Sequence, residues 1–126
     1  MNTFKLQIIT PGGKVFDNEA VYASFPGDKG EFGVLPQHSA LLSLLAPGVI
    51  EVTRPSGEKE GVAINWGYAE IDEQSVIVLV DGAVSVAGGT SKEMSEAIAK
   101  AEKLLKDATD SSQVLSVAAQ KMRNLV

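Results

Sequence analysis

The residues of this chain that could do chemistry are few, and their order defeats each chemistry in turn. His38 and Ser39 are adjacent, and a hydrolase builds its base and nucleophile from such a pair. Neighbours on a strand point to opposite faces, however, and no carboxylate is spaced to orient the ring, so a buried histidine, or one capping a loop through its carbonyl, is expected instead. Gly88-Gly89-Thr90-Ser91-Lys92 holds the ingredients of a phosphate loop in the wrong order, since the lysine must precede the hydroxyl residue. A hinge followed by a helix cap is expected there. Gly27, Gly30 and Gly33 fall every third residue but neither form GxGxxG nor open a helix, so no dinucleotide site follows. With no cysteine and one histidine, disulfides, thiolate nucleophiles and Cys- or His-based metal clusters are excluded. No catalytic residue, metal site or cofactor is predicted.

What remains is a shaped surface. The glycine series suits a tight loop whose backbone visits positive φ or lies close against a neighbour. Pro36 ends any extended run before it, and Ser39 to Leu45 follows as an almost wholly apolar stretch without a charge, to be buried in a core or against a partner. The elements around it read as all-β. From Phe4 to about Val86, short runs rich in Val, Ile, Leu and aromatics alternate with Gly, Pro, Asn or Asp turns. Strands are expected from Phe4, from Val15, over Val21–Phe25, Gly48–Arg54, Glu60–Trp66, Tyr68–Ile71 and Val76–Val80, with Pro55-Ser56-Gly57 closing a hairpin. Such spacing implies a sandwich or flattened barrel. Ser75 to Val80 is apolar enough to predict burial on both faces, and of Trp66 and Tyr68, which flank Gly67, one side chain is expected to pack inward in the core.

At Gly88-Gly89 the period changes to about 3.6 and the composition to Ala, Leu, Glu and Lys, dividing the chain into residues 1–87 and 88–126. Thr90 and Glu93 have capping-box spacing, and Met94, Ala97, Ile98, Ala101, Leu104, Leu105 and Ala108 form one helix face. Asp110 and Gln113 repeat the box and open a second helix with Val114, Leu115, Val117, Ala118, Met122 and Leu125 inward. The short link predicts an antiparallel hairpin. Helices of about 15 residues are marginal alone, so the pair must lean on itself, on the sandwich or on a partner. An alanine-rich seam buries little area, which suits an element able to detach.

The net charge is −5, and residues 1–88 carry 5 basic against 11 acidic side chains. An acidic front half argues against nucleic-acid binding, and no stretch approaches the ~20 apolar residues of a membrane span. The N-terminal MNTFKLQIIT alternates from the start and lacks the regions of a signal peptide, so it reads as the first strand of a cytosolic fold.

These residues carry a resemblance over nearly the whole chain to the epsilon subunit family of bacterial F-type ATP synthases. The family pattern stands here as Gly30-Glu31-Phe32-Gly33, Pro36-Gln37-His38, Leu41-Leu42 and Pro47-Gly48, followed by Asn65-Trp66-Gly67-Tyr68-Ala69-Glu70-Ile71. The resemblance implies a ten-stranded β-sandwich and then a two-helix hairpin. It implies a non-catalytic subunit of the central stalk, peripheral on the cytoplasmic face of the bacterial inner membrane, that links the gamma subunit to the c ring and couples proton flow to ATP synthesis. Gly30, Glu31, Phe32 and Gly33 match the loop that rests on the c ring, and His38, Ser39, Ala40, Leu41 and Leu42 the stretch that grips gamma.

In that family the hairpin lies folded on the sandwich or extends toward the alpha and beta subunits to block ATP hydrolysis. Lys100, Lys103, Lys106, Lys121 and Arg123 are the cations available for that contact, or else solvated partners of Glu96 and Glu102. Several members bind ATP through Ile/Leu-Asp-x-x-Arg-Ala, where this chain has Met94-Ser95-Glu96-Ala97-Ile98-Ala99. Ser95 and Ile98 replace the aspartate and arginine, so the charge-assisted grip on a nucleotide is missing and weak or absent ATP sensing is expected. The alternative is a nucleotide-sensing module acting through the hairpin. An unrelated sandwich enzyme has no residue set in its favour.

Overall fold

A computed structural model describes residues 2–87 and 90–125, so the expected hinge at Gly88-Gly89, and the boundary drawn there, lie outside the described residues. Ten strands come first: β1 (Phe4–Thr10), β2 (Gly13–Ala20), β3 (Tyr22–Gly27), β4 (Gly30–Val34), β5 (Leu41–Leu45), β6 (Gly48–Thr53), β7 (Lys59–Ile64), β8 (Gly67–Ile71), β9 (Ser75–Val80) and β10 (Ala83–Val86). Two helices follow, α1 (Ser91–Ala108) and α2 (Ser112–Arg123). The strands arise from two-residue alternation. In β1, Phe4, Leu6 and Ile8 turn inward while Lys5 faces solvent.

The strands run in the order β10-β7-β6-β3-β5-β8-β9-β1-β2, with β4 paired to β3 beside that path. All pairs are antiparallel except β1 with β9. The two ends of the path, β2 and β10, come into contact, so the sheet folds over on itself as a flattened barrel or two-layer sandwich. Its interior is filled by Phe4, Leu6, Ile8, Phe25, Ile50, Ile64, Ile71 and Val78, among others. Among the described residues no charged or polar residue is fully buried.

β9 departs from expectation. Val76, Val78 and Val80 are buried, whereas Ile77 and Leu79 are only half-buried, so one face of the strand lies on the core and the other has no second layer of this chain over it. The apolar run is real, but its outer half is left uncovered.

The hairpin lies back on the sandwich. Ala101, Leu105, Ala118 and Met122 form a second core with Val49, Ala63 and Val86 of β6, β7 and β10, bordered by Met94, Ala97, Ile98, Leu104, Leu115 and Leu125. Ile98 and Glu102 of α1 share a small cavity of about 220 Å³ with Ala119, Met122 and Arg123 near the end of α2, an antiparallel arrangement. Thr90 caps α1 as expected, its hydroxyl accepting from the Glu93 N–H. The second cap is Ser111, not Asp110: the Ser111 hydroxyl accepts from Val114 N–H, because the Thr109 hydroxyl receives the Ser111 N–H and starts the helix one residue later. Val117 is exposed rather than inward, and Val114 and Ala108 are half-buried outside the second core. From this segment Leu115, Ala118, Met122 and Leu125 belong to the second core or border it.

β7 is notched to receive the hairpin. A Cβ at Gly61 would lie 2.5 Å from Leu125 Cδ1 and 3.4 Å from Val49 Cγ1, so the missing side chain makes room for the end of α2.

Candidate functional site

The glycine-rich loop is the tight β3–β4 turn. Gly30 has φ 129°, and a Cβ on Gly27 would meet the Gly30 carbonyl at 2.6 Å, so the chain reverses here only because both positions are glycine. Glu31 is exposed at the start of β4, whereas the Phe32 ring turns inward and stacks on Phe25 with centroids 5.5 Å apart. Phe32 therefore stiffens the turn from beneath. An open hollow of about 580 Å³ is lined by Gly27 to Phe32 on one side and Leu41 to Leu44 on the other. The structure thus brings Gly30, Glu31 and Phe32 of the expected ring set and Leu41 and Leu42 of the expected gamma set to one cleft, while Gly33, His38, Ser39 and Ala40 lie outside its lining.

His38 is half-buried in the loop before β5, and its Nδ1 donates to the Ser39 carbonyl at 2.7 Å. It caps the loop, as expected of a histidine without a catalytic partner. The preceding Gln37 has φ 69°, and its N–H donates to the Glu73 carbonyl at 2.8 Å, which ties the loop to the β8–β9 turn. In that turn Asp72 accepts from the N–H groups of Gln74 and Ser75 and from the Ser75 hydroxyl, and these three bonds hold its carboxyl below the usual range.

Of the apolar stretch after His38, only Leu45 enters the core. Leu41, Leu42 and Leu44 are exposed, the last two at 67% and 61%. Register explains where they point. Leu44 stands opposite Tyr68, Tyr68 opposite Leu79, and Leu79 opposite Ile9, so β5, β8, β9 and β1 build one apolar row on the outer face. Leu42, Glu70 and Ile77 form the adjacent row. Trp66 and Tyr68, one of which is expected to pack inward, are 58% and 39% exposed. Both line an open hollow of about 440 Å³ with Ile9, Pro11 and Leu79. The core assignment of this pair fails because Ala69, Ile71 and Val78 already fill the inner layer, and the pleat sends Tyr68 the other way.

Sequence reasoning reached this row only at β5, through the apolar stretch Ser39 to Leu45, and missed that Tyr68, Leu79 and Ile9 continue it. Alternation shows two apolar faces but not what covers the second.

The five candidate cations separate. Lys100, Lys103 and Lys106 are exposed on α1, with Lys103 paired to Asp107 at 3.2 Å rather than to Glu96 or Glu102. Arg123 is exposed and donates to the Gln120 side chain at 2.6 Å. Lys121 turns inward instead. Its ammonium donates to Glu31 and to the Val49 carbonyl, the latter at 2.8 Å. Two residues assigned to separate sites are therefore joined. Ser95 is exposed, while Ile98 is half-buried against α2, occupied by packing.

Among the described residues no cluster of three or more His, Asp or Glu could hold a metal ion, and no helix is long and apolar enough to cross a membrane. The β-sandwich domain of the ATP synthase delta/epsilon chain matches residues 3–86. The chain is 47% identical to the ATP synthase epsilon chain of Campylobacter fetus, over 98% of this chain and 96% of the relative. It belongs to the ATP synthase epsilon chain family. It is thus a subunit of an ATP synthase and not an enzyme by itself. The epsilon chain of Nitratiruptor is 46% identical over 92% of this chain and 90% of that one. In fold, the chain resembles a component of the OSCP/F1/c-ring part of the Euglena gracilis mitochondrial ATP synthase, with TM-score 0.64 and 21% identity over 99% of this chain and 80% of the other.

Proposed function

We propose that this chain is a rotor subunit of a proton-translocating ATP synthase, joining the gamma subunit to the c ring and carrying torque between them. Residues 1–87 are the docking unit and residues 88–126 a regulatory hairpin. The observation that supports this most is the outer apolar row Leu44–Tyr68–Leu79–Ile9, a β surface with a packed core behind it and nothing of this chain in front. An uncovered apolar face of this extent favours a permanent protein partner. The gamma subunit fits it, with His38 to Leu42 at the edge, because a torque-bearing contact needs close-packed material on both sides.

The exposed turn carrying Gly30 and Glu31 is the place for the ring, an acidic tip suited to basic or donor groups of a partner loop. Gly33 and Phe32 hold that tip rather than touch the ring. The chain then sits peripherally at the cytoplasmic face of the bacterial inner membrane. Released from the sandwich, the hairpin offers Lys100, Lys103, Lys106, Lys121 and Arg123 to the alpha and beta subunits and restrains ATP hydrolysis. With Ser95 and Ile98 in place of the acid and the arginine, that release is not governed by a nucleotide held on the hairpin.

The test is co-purification of the full chain with gamma. Leu44→Asp places a charge in the centre of the row at an exposed position, so the isolated chain keeps its melting temperature while the stoichiometric gamma complex is lost. A variant that binds gamma as tightly as the parent removes this face from the interface.

A further inference from the structure

Lys121 is the only cation of the hairpin described as bonded to the sandwich, and its surroundings make that bond more than a surface pair. Its side chain is 14% exposed, while that of Glu31 is 43% exposed. The ammonium therefore depends on Glu31 for its countercharge, and Glu31 remains open to other partners. Val49 supplies the second acceptor, a carbonyl beyond the end of the β3–β6 ladder, which stops at Ser24 opposite Glu51. Met122, the next residue, is buried in the second core, and Leu125 fills the notch at Gly61. A hollow of about 260 Å³ is lined by Glu31 together with Pro26, Gly30 and Pro47 and with Gln113 and Val117 of α2, beside the exposed part of the Glu31 side chain.

We propose that Glu31 is a shared acceptor: a donor-bearing loop of the ring that takes this carboxylate strips Lys121 of its countercharge and releases the end of α2. This rests on the reading that Glu31 meets the ring. A largely buried ammonium left with a single carbonyl is costly, and moving to water is its relief. Ring docking and hairpin docking thus oppose each other through one residue, and by linkage a docked hairpin weakens the grip on the ring by the same factor. The alanine-rich seam is weak enough for one contact to matter.

The chain has no cysteine, so a pair introduced at the exposed Ser56 and Gln120 carries donor and acceptor dyes uniquely. Energy transfer between them reads the ratio of docked to released hairpin in the gamma-containing complex, with and without the c ring. The ring is expected to lower that ratio about ten-fold, the effect of one charge-assisted hydrogen bond. Lys121→Met and Glu31→Gln each start from the lowered ratio and show no further response to the ring. Because Glu31 is exposed, the second variant remains informative if the first disturbs packing. A ring without effect on the parent chain, or with an equal effect on both variants, overturns the proposal. Failure to assemble with gamma and the ring at all is a different result, and it refutes the rotor assignment itself.

Discussion

Leu105→Ala should unfasten the hairpin and leave the sandwich standing. Leu105 is 1% exposed and belongs to the core between helices and sheet, which shares no buried residue with the interior of the sandwich. Truncating a fully buried leucine costs about 2–5 kcal/mol through lost transfer energy and the cavity left behind. Of the four hairpin residues buried in that seam, Ala101 and Ala118 contribute little, so Leu105 and Met122 hold most of the apolar area. A loss of about 3 kcal/mol shifts docking by roughly a hundred-fold or more. Freed helices of 18 and 12 residues are marginal in water. Native-state hydrogen exchange is the assay, because it resolves regions of different stability within one molecule. Amides of α1 and α2 should lose about two orders of magnitude in protection. Those of β1, β8 and β9 should stay within a few-fold of the parent, whereas Val78→Ala lowers both sets. Equal loss of protection in strands and helices after Leu105→Ala would show that hairpin and sandwich unfold as one unit and refute the reasoning.

Two smaller predictions concern local structure. Ser111→Ala should cost about 1 kcal/mol of helix stability, and Asp110→Ala under about 0.5 kcal/mol, as read by denaturant titration of the helical circular dichroism; the reverse order would restore Asp110 as the cap. The lowered pKa of Asp72 means that its bonds to Gln74 and Ser75 stabilise the fold fully above the ordinary carboxylate range, and that this contribution is lost as pH falls through the lowered folded value. Asp72→Asn should therefore flatten the acid limb of the stability curve between those two values, and an unchanged limb would assign that acid sensitivity to other groups.

Local rules account for much of the chain. The β punctuation, the hairpin at Pro55-Ser56-Gly57, the Thr90 cap and the apolar face of α1 were legible because each depends on residues within a few positions of one another. The Ser111 cap was not, since the choice between Asp110 and Ser111 turns on the Thr109 hydroxyl taking a backbone donor, and all three residue types can cap. The expected contact residues Glu31, Leu41 and Leu42 were named from motif, but not their meeting at one cleft.

Sequence alone determined that this chain is a β body followed by a helical pair, because alternation, turn residues and composition are properties of short windows. Tertiary structure alone decided which apolar residues stay bare and which charge meets which. Tyr68 and Leu79 look like core residues until the register of four strands places them on the uncovered side, beside the exposed Trp66. Lys121 and Glu31 lie 90 residues apart and meet only because α2 folds back over β4 and β6. Burial depends on what the rest of the chain leaves uncovered, and no window of sequence carries that information.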